Sequence, residues 1–161
     1  MNYRLAVETD LPQLAVLRWE FRTELYPPAE GFPTPAGDQS LAGFLPVCLA
    51  FLQDALASGG WAFWIAEQEG QIVANLCIQR IPKIPRPGRL KCEFAYITNV
   101  YTRPAWRNQG VGAELMKRAQ EWGLREGLEF FILWPSKRSG AFYRRAGFIP
   151  SPEALEYHFE E

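Results

Sequence analysis

The sequence has a single histidine, His158, and only three cysteines, Cys48, Cys77 and Cys92. The cysteine count is odd and no C-x-x-C pair occurs, which argues against a disulfide framework or a zinc site. One histidine is too few for a ligand cluster, so no metal is expected. An excess of either charge is also lacking: 17 Lys and Arg face 18 Asp and Glu, a net −1. A nucleic-acid binder ordinarily carries a strongly basic balance, so no nucleic-acid partner is expected. Long apolar runs are scarce. The most apolar stretch, residues 41–56, is interrupted by Pro46, Gln53 and Asp54 and reads as too short and too mixed to span a bilayer, so no membrane partner is expected. Met1-Asn2-Tyr3-Arg4 lacks the basic-then-apolar layout of a secretory leader. A reducing, cytoplasmic setting is the resulting expectation.

What is present is a chain of 161 residues, 48% hydrophobic and 14% aromatic, enough to bury a core as one domain over residues 1–161. Residues 3–7 read as a strand. Asp10 is placed to cap a helix whose Leu14, Leu17, Phe21 and Leu25 share one face. Residues 26–37, with Pro27, Pro28, Pro33 and Pro35, read as a loop. A second helix is expected from Asp38. Leu41, Phe44, Leu45, Cys48, Phe51, Leu52 and Leu56 form its buried side, and Pro46 kinks or divides it. Strands over 61–67 and 71–81 form a hairpin about Glu69-Gly70. A Pro-rich basic loop over 82–89 and a long strand over 90–102 follow. A helix over 110–126 buries Val111, Leu115, Ala119 and Trp122. A continuous apolar strand covers 128–134, a short helix 136–146 and a weak last strand 155–159. Strands in sequence, then a strand–helix–strand unit, imply an α/β (α+β) fold with a mixed sheet and helices on its faces.

The most informative stretch is Val100-Tyr101-Thr102-Arg103-Pro104-Ala105-Trp106-Arg107-Asn108-Gln109-Gly110-Val111-Gly112-Ala113. A strand runs through a loop directly into a helix that opens on glycines. The first helical N–H groups lack intrahelical partners and lie at the positive end of the helix dipole. Such a helix start suits a phosphate or pyrophosphate, which the glycines let approach the backbone. Neither a P-loop, G-x-x-x-x-G-K-S/T, nor a dinucleotide fingerprint, G-x-G-x-x-G after a strand, occurs.

The pattern present is R-x-x-G-x-G at Arg107, Gly110 and Gly112, with small Ala113 next. It resembles the acyl-CoA pyrophosphate loop of the GNAT (N-acetyltransferase) superfamily, Q/R-x-x-G-x-G/A. The run from Tyr96 to Gly112 resembles that family's strand–loop–helix. Tyr143-Arg144-Arg145-Ala146-Gly147-Phe148 resembles its Y-x-x-x-G-F ending, and Ser136 to Tyr143 the helix leading to it. The close match spans about residues 96–148.

The resemblance implies a splayed mixed sheet of six or seven strands flanked by about four helices. It implies acetyl-CoA as cosubstrate, no metal, and acetyl transfer to an amine. Val100 and Thr102, with Tyr101 between, would pair with the pantetheine arm, and the sheet would part between this strand and residues 128–134. Arg107, Asn108, Gln109, Gly110, Val111, Gly112, Ala113 and Ser136 would hold the rest of the cofactor. Trp106, Lys137 and Arg138 could meet its adenine or 3′-phosphate. Tyr143 would protonate the leaving thiolate. Many relatives carry a glutamate where this chain has Thr98, which puts a direct carboxylate base in doubt and leaves open that the amine arrives partly neutral and loses its proton to water. Glu93 in the same strand is the candidate, with Tyr96 holding a water chain, and Glu20, Glu24 and Glu30 border the acceptor. His158 reads as structural or solvent-facing. The expected acceptor is a small-molecule amine. A protein or peptide acceptor and a non-catalytic acyl-CoA-binding module remain alternatives, and a homodimer is left open.

Overall fold

In the computed structural model, which describes residues 1–25, 40–152 and 154–158, the hairpin lies at the centre of the sheet. Glu69 and Gly70 both have positive φ, 52° and 78°, the backbone required by a tight turn whose twist matches its strands. They join β2 (Trp61–Gln68) to β3 (Gln71–Pro82). Both strands are buried over long continuous stretches, because helices cover both faces of the sheet. β1 (Asn2–Leu5) pairs antiparallel with β2 on one side, and β4 (Glu93–Thr102) antiparallel with β3 on the other. β5 (Phe131–Ile132) runs parallel to β4 at the far edge, giving the order β1-β2-β3-β4-β5.

Among the described residues five strands form the sheet rather than six or seven. The apolar segment 128–134 contributes only the two residues of β5, and residues 154–158 carry no strand. Among the described residues, α1 (Leu11–Leu25), α2 (Leu41–Ser58), α3 (Val111–Arg125) and α4 (Gly140–Arg145) supply the expected four helices. The expected loop over 26–37, with Glu30, and the helix start at Asp38 lie outside the described residues.

Two cores flank the sheet. α1 and α2 enclose Leu11, Leu14, Leu17, Leu52, Phe63, Ile65, Ile72 and Tyr101 on one face; α3 and α4 cover Trp64, Leu76, Ile97, Leu115, Met116 and Trp122 on the other. Asp10 does not act as the simple cap expected. It closes a 3₁₀ turn over Glu8–Asp10, accepts the Val7 N–H at 2.8 Å and binds both Arg4 Nη atoms at 2.6 and 2.9 Å.

α2 starts at Ser40, whose hydroxyl accepts the Gly43 N–H at 3.2 Å. It runs unbroken through Pro46. The proline is the sixth residue of the helix, so the ladder loses the one bond that residue would donate to Ala42 O, and the helix continues past it. Leu52 and Ala55 are buried, whereas Leu41 and Phe51 of the expected buried side are exposed. At 18 residues and mean hydropathy 1.6, α2 is long and apolar enough by length and composition alone to cross a membrane, contrary to the expectation for residues 41–56. Within the fold it packs on α1 and on Trp61 of β2.

Candidate active site

A bulge in β4 opens the site. Asn75 pairs with Tyr101, but Cys77 pairs with Thr98, so the two residues Asn99 and Val100 stand opposite Leu76 alone. Asn99 takes φ 51°, a left-handed conformation that asparagine tolerates better than most residues. Bulges bend their strand and raise its twist. On its other side β4 meets β5 only at Ala95 and Tyr96, supported by Glu129 N–H to Glu93 O at 2.8 Å and Ala95 N–H to Phe130 O at 3.1 Å. Beyond Tyr96 the strands part, and Ile97 to Thr102 have no strand partner on that side among the described residues. This is the expected opening, with Val100 and Thr102 on its free edge.

The β4–α3 connection begins with a 3₁₀ turn over Pro104–Trp106. Asn108 and Gly110 then adopt φ 60° and 80°, and α3 begins at Val111. Gln109 steadies the turn by donating its side-chain amide to Ala105 O at 2.8 Å. The first helical bond is Glu114 N–H to Gly110 O, at 2.9 Å. The N–H groups of residues 108–113 therefore have no partner among the described residues. Gly112 lies inside the first turn, where an added Cβ would stand 3.4 Å from Thr102 Oγ1 and 3.6 Å from Phe142. The loop thus lies between the end of β4 and α4.

α1 grips this connection with two bidentate pairs. Glu20 accepts from Arg103 Nε and Nη2 at 2.9 and 2.8 Å, and Glu24 from Arg107 Nη1 and Nη2 at 2.7 Å each. Arg107 also donates Nε to Thr102 O at 2.8 Å. The Arg107 guanidinium holds the Glu24 carboxyl below the usual carboxylate range. Glu20 and Glu24 are therefore anchors of the loop rather than bases: each is already committed to a bidentate pair with an arginine. The Tyr101 ring turns into the α1 core, 5.5 Å from Phe21, and its hydroxyl donates to Glu24 at 3.3 Å. Only the Tyr101 backbone is left for the strand edge.

Glu93 does not come to the site. It receives Arg80 Nη2 at 2.6 Å, and Arg80 also holds Glu126 at 3.0 Å near the end of α3. Glu93 precedes Asn99 by six residues, about 20 Å along a strand. With Thr98 in place of a carboxylate, no described residue stands as a direct carboxylate base at the bulge.

Tyr143 lies on α4, half-buried, with its ring edge-on to Phe142 and Phe148 at 5.1 and 5.7 Å. Its hydroxyl has no hydrogen-bond partner among the described residues. Burial, and secondarily the nearby Tyr96, push its pKa up to about 12. Tyr96 packs edge-on against Trp134 at 5.0 Å, beside the point where β4 and β5 part. Ser136 is exposed and donates to Ser139 Oγ at 3.0 Å in the turn before α4, which starts at Gly140 rather than at 136. Lys137 and Arg138 are exposed, and the charge of Arg138 reaches Glu24 at the loop. Trp106 packs half-buried at the edge of the α3 core. His158 is solvent-exposed beside Glu156 at 3.1 Å.

Two residues escaped the sequence reading. A shallow cavity of about 300 Å³ between α3 and α4 is lined by Ala113, Lys117, Gln120, Phe142, Arg145 and Ala146. Gln120 closes its floor by donating to Ala146 O at 2.7 Å. Lys117 and Arg145 bring two cations to one end of the loop. Each looks like ordinary helix surface until the two helices are placed side by side.

Comparison with known proteins bears on the family and the fold. The acetyltransferase (GNAT) family profile matches residues 14–148. A predicted acetyltransferase from Clostridium acetobutylicum, solved with acetyl-CoA, is 25% identical with a TM-score of 0.76; the match covers 98% of this chain and 95% of that one. A GCN5-related N-acetyltransferase from Ralstonia eutropha JMP134 is 25% identical, TM-score 0.73, covering 98% and 97%. An aminoglycoside acetyltransferase from an uncultured soil metagenomic sample shares the fold at 17% identity, TM-score 0.71, covering 99% and 95%. No curated protein sequence matches the chain.

Proposed function

This chain belongs to the acetyltransferase (GNAT) family, and from that premise we propose that it transfers acetyl from acetyl-CoA to the primary amine of a small molecule, in a cytoplasmic setting. The observation that carries the proposal is the unbroken run of unpartnered N–H groups over residues 108–113, opening a helix beside a strand edge free from Ile97 to Thr102. Donors so arranged fit a pyrophosphate, and a free strand edge fits the amides of an extended arm. Asn108, Gln109, Gly110, Val111, Gly112 and Ala113 would hold the diphosphate, and the backbone of Val100, Tyr101 and Thr102 the arm. Lys117 and Arg145 stand where a further phosphate would be neutralised. Arg107 serves by shaping the loop from Thr102 O and Glu24.

When bound, acetyl-CoA supplies the activated acyl group as a thioester. The amine must present a lone pair, and its proton leaves through water because no carboxylate stands at the bulge among the described residues. Tyr143 directs its unpartnered hydroxyl at the leaving sulfur. With a pKa near 12 against about 8.5 for a thiol, full proton transfer is uphill by about 5 kcal/mol. Tyr143 therefore acts as a hydrogen-bond donor to the developing thiolate rather than as its final proton source.

Titration calorimetry and thiol release with an amine panel test the reading. Gly110→Val forces a branched side chain onto φ 80° and should abolish acetyl-CoA binding while circular dichroism stays native. Unchanged affinity in a folded variant would refute the loop assignment. Binding without turnover on any amine or peptide would instead support the non-catalytic alternative.

A further inference from the structure

Three half-buried arginines are matched to carboxylates: Arg4 to Asp10 and Glu67, Arg80 to Glu93 and Glu126, Arg103 to Glu20. Arg18 on α1 differs from these. It is half-buried, and its only hydrogen bond among the described residues runs from Nη1 to the neutral Asn99 Oδ1, at 3.0 Å. A guanidinium has five N–H donors in a planar fork, so most of its capacity is unspent. No ion pair reaches it among the described residues, and its carbon sits 6.0 Å from the Phe21 ring.

Its location gives that capacity a use. Asn99 is the bulge residue of β4 and is itself fixed. Its carbonyl accepts Asn75 Nδ2 at 2.9 Å, and its side-chain amide meets Cys77 Sγ at 3.5 Å. Arg18 is therefore aimed at the place where β4 turns away from β5. Tyr96 lies within electrostatic reach of both Arg18 and Tyr143. Tyr96 thus stands between the two electrostatically, coupled to Arg18 on one side and to Tyr143 on the other. The groups acting on Arg18 from the surrounding elements are Arg22 on α1, Cys48 on α2, and Cys77 and Tyr96 on the sheet. The neutral thiols and phenol do not offset its charge, and Arg22 adds to the positive field.

We propose that Arg18 is a specificity residue which binds an oxyanion, a carboxylate or a phosphate, carried by the amine acceptor. The inference rests on the acetyltransferase reading and adds the acceptor's class to it: an amine bearing its own negative charge. A planar fork with one neutral anchor at the bulge and its other donors without a partner among the described residues suits oxyanion recognition. The anchor at Asn99 sets the fork's orientation before the acceptor arrives.

Matched acceptors test this. Initial rates of thiol release would be compared for glycine with glycinamide, phenylalanine with phenylalaninamide, and phosphoethanolamine with ethanolamine. The wild type should favour the anionic member of at least one pair, and the carboxylate and phosphate arms identify which oxyanion it takes. Arg18→Gln should raise KM for that member by about 10- to 100-fold, as expected for loss of a hydrogen bond to a charged group. It should leave acetyl-CoA affinity and the neutral member's kcat/KM within about twofold, and Arg18→Lys should recover part of the loss. Equal use of charged and neutral members by the wild type overturns the proposal, as does an equal loss on both in Arg18→Gln. A turnover-independent arm uses calorimetric titration of N-acetylglycine, N-acetylglycinamide and N-acetylphosphoethanolamine into the CoA-saturated protein. Binding of an anionic product that vanishes in Arg18→Gln supports the proposal even if the panel lacks a good substrate. Anion binding unaffected by the substitution, or no anion binding, refutes it. Failure of the underlying reading looks different: acetyl-CoA itself would not bind.

Discussion

Tyr143 holds its proton far above neutral pH, because its half-buried ring would have to carry a charge in a poorly solvated place. The pH profile of kcat should therefore show no descending limb from this residue within the usual assay range, up to about pH 10. Tyr143→Phe keeps the ring contacts with Phe142 and Phe148 and removes one hydrogen bond to a charged atom. We expect kcat to fall roughly 10- to 100-fold, with acetyl-CoA affinity nearly unchanged. Steady-state kinetics on a confirmed acceptor, beside a melting curve, would show it. Wild-type turnover in the folded variant removes Tyr143 from the chemistry. Asp10 does different work. The Arg4 guanidinium, and then the Val7 N–H, hold its carboxyl below the usual range. A depressed folded pKa means that its stabilisation is complete above the unfolded value of about 3.9 and is lost as pH falls through the folded value. Asp10→Asn should cost about 2 kcal/mol at neutral pH. The gap to wild type in urea unfolding should stay constant above about pH 5 and shrink below about pH 4. A gap that widens in acid would contradict the assignment.

The clamp between α1 and the β4–α3 connection acts between elements. Glu20 and Glu24 are one helical turn apart, and so bind Arg103 and Arg107 from the same face of α1. The exposed Arg107–Glu24 pair is worth at most about 1 kcal/mol, enough to bias a loop though not to hold a fold. If Arg107 works by shaping the loop, Arg107→Ala and Glu24→Gln should weaken acetyl-CoA binding alike. The expected loss is about threefold to fivefold, and the double variant should be no worse than either single one. Were Arg107 a direct phosphate ligand restrained by Glu24, Glu24→Gln would tighten binding instead, and calorimetry separates the two. The opposite side of the slot depends on close packing. Gly123 of α3 leaves room for Phe131 of β5, since a Cβ there would stand 2.5 Å from the ring. That contact keeps the short β5 against α3 while β4 bends away.

For the whole molecule, binding at the slot would bridge three separate parts of the fold: the edge of β4, the loop and α4. A ligand taken up only by the folded state stabilises it by mass action, by about 2.7 kcal/mol at a concentration 100 times its Kd. For a chain of this size that is a rise in Tm of roughly 5–10 °C. Scanning fluorimetry should record it with acetyl-CoA for wild type and for Tyr143→Phe, but not for Gly110→Val. A rise that persists in Gly110→Val would place the ligand elsewhere.

The sequence by itself determined the parts whose physics is local. Glu69-Gly70 demanded its hairpin, and Gly110 and Gly112 marked the loop and the start of α3. The periodicity of Val111, Leu115, Ala119 and Trp122 gave α3 its buried face. These signals act over a few residues, through backbone conformation and side-chain spacing, so they survive without a fold. Only the tertiary structure decided how much of the apolar segment 128–134 would pair, because strand pairing depends on a partner's path, and the bulge at Asn99 turned that partner away after Tyr96. It also decided what each charge does. Glu20 and Glu24 meet arginines 83 residues further along the chain, Glu93 is taken by Arg80, and Arg18 reaches Asn99 across 81 residues. A carboxylate or guanidinium carries the same formal charge wherever it stands in a sequence. Whether it becomes an anchor, a base or an open binding group depends on the neighbours and the solvent that folding assigns to it.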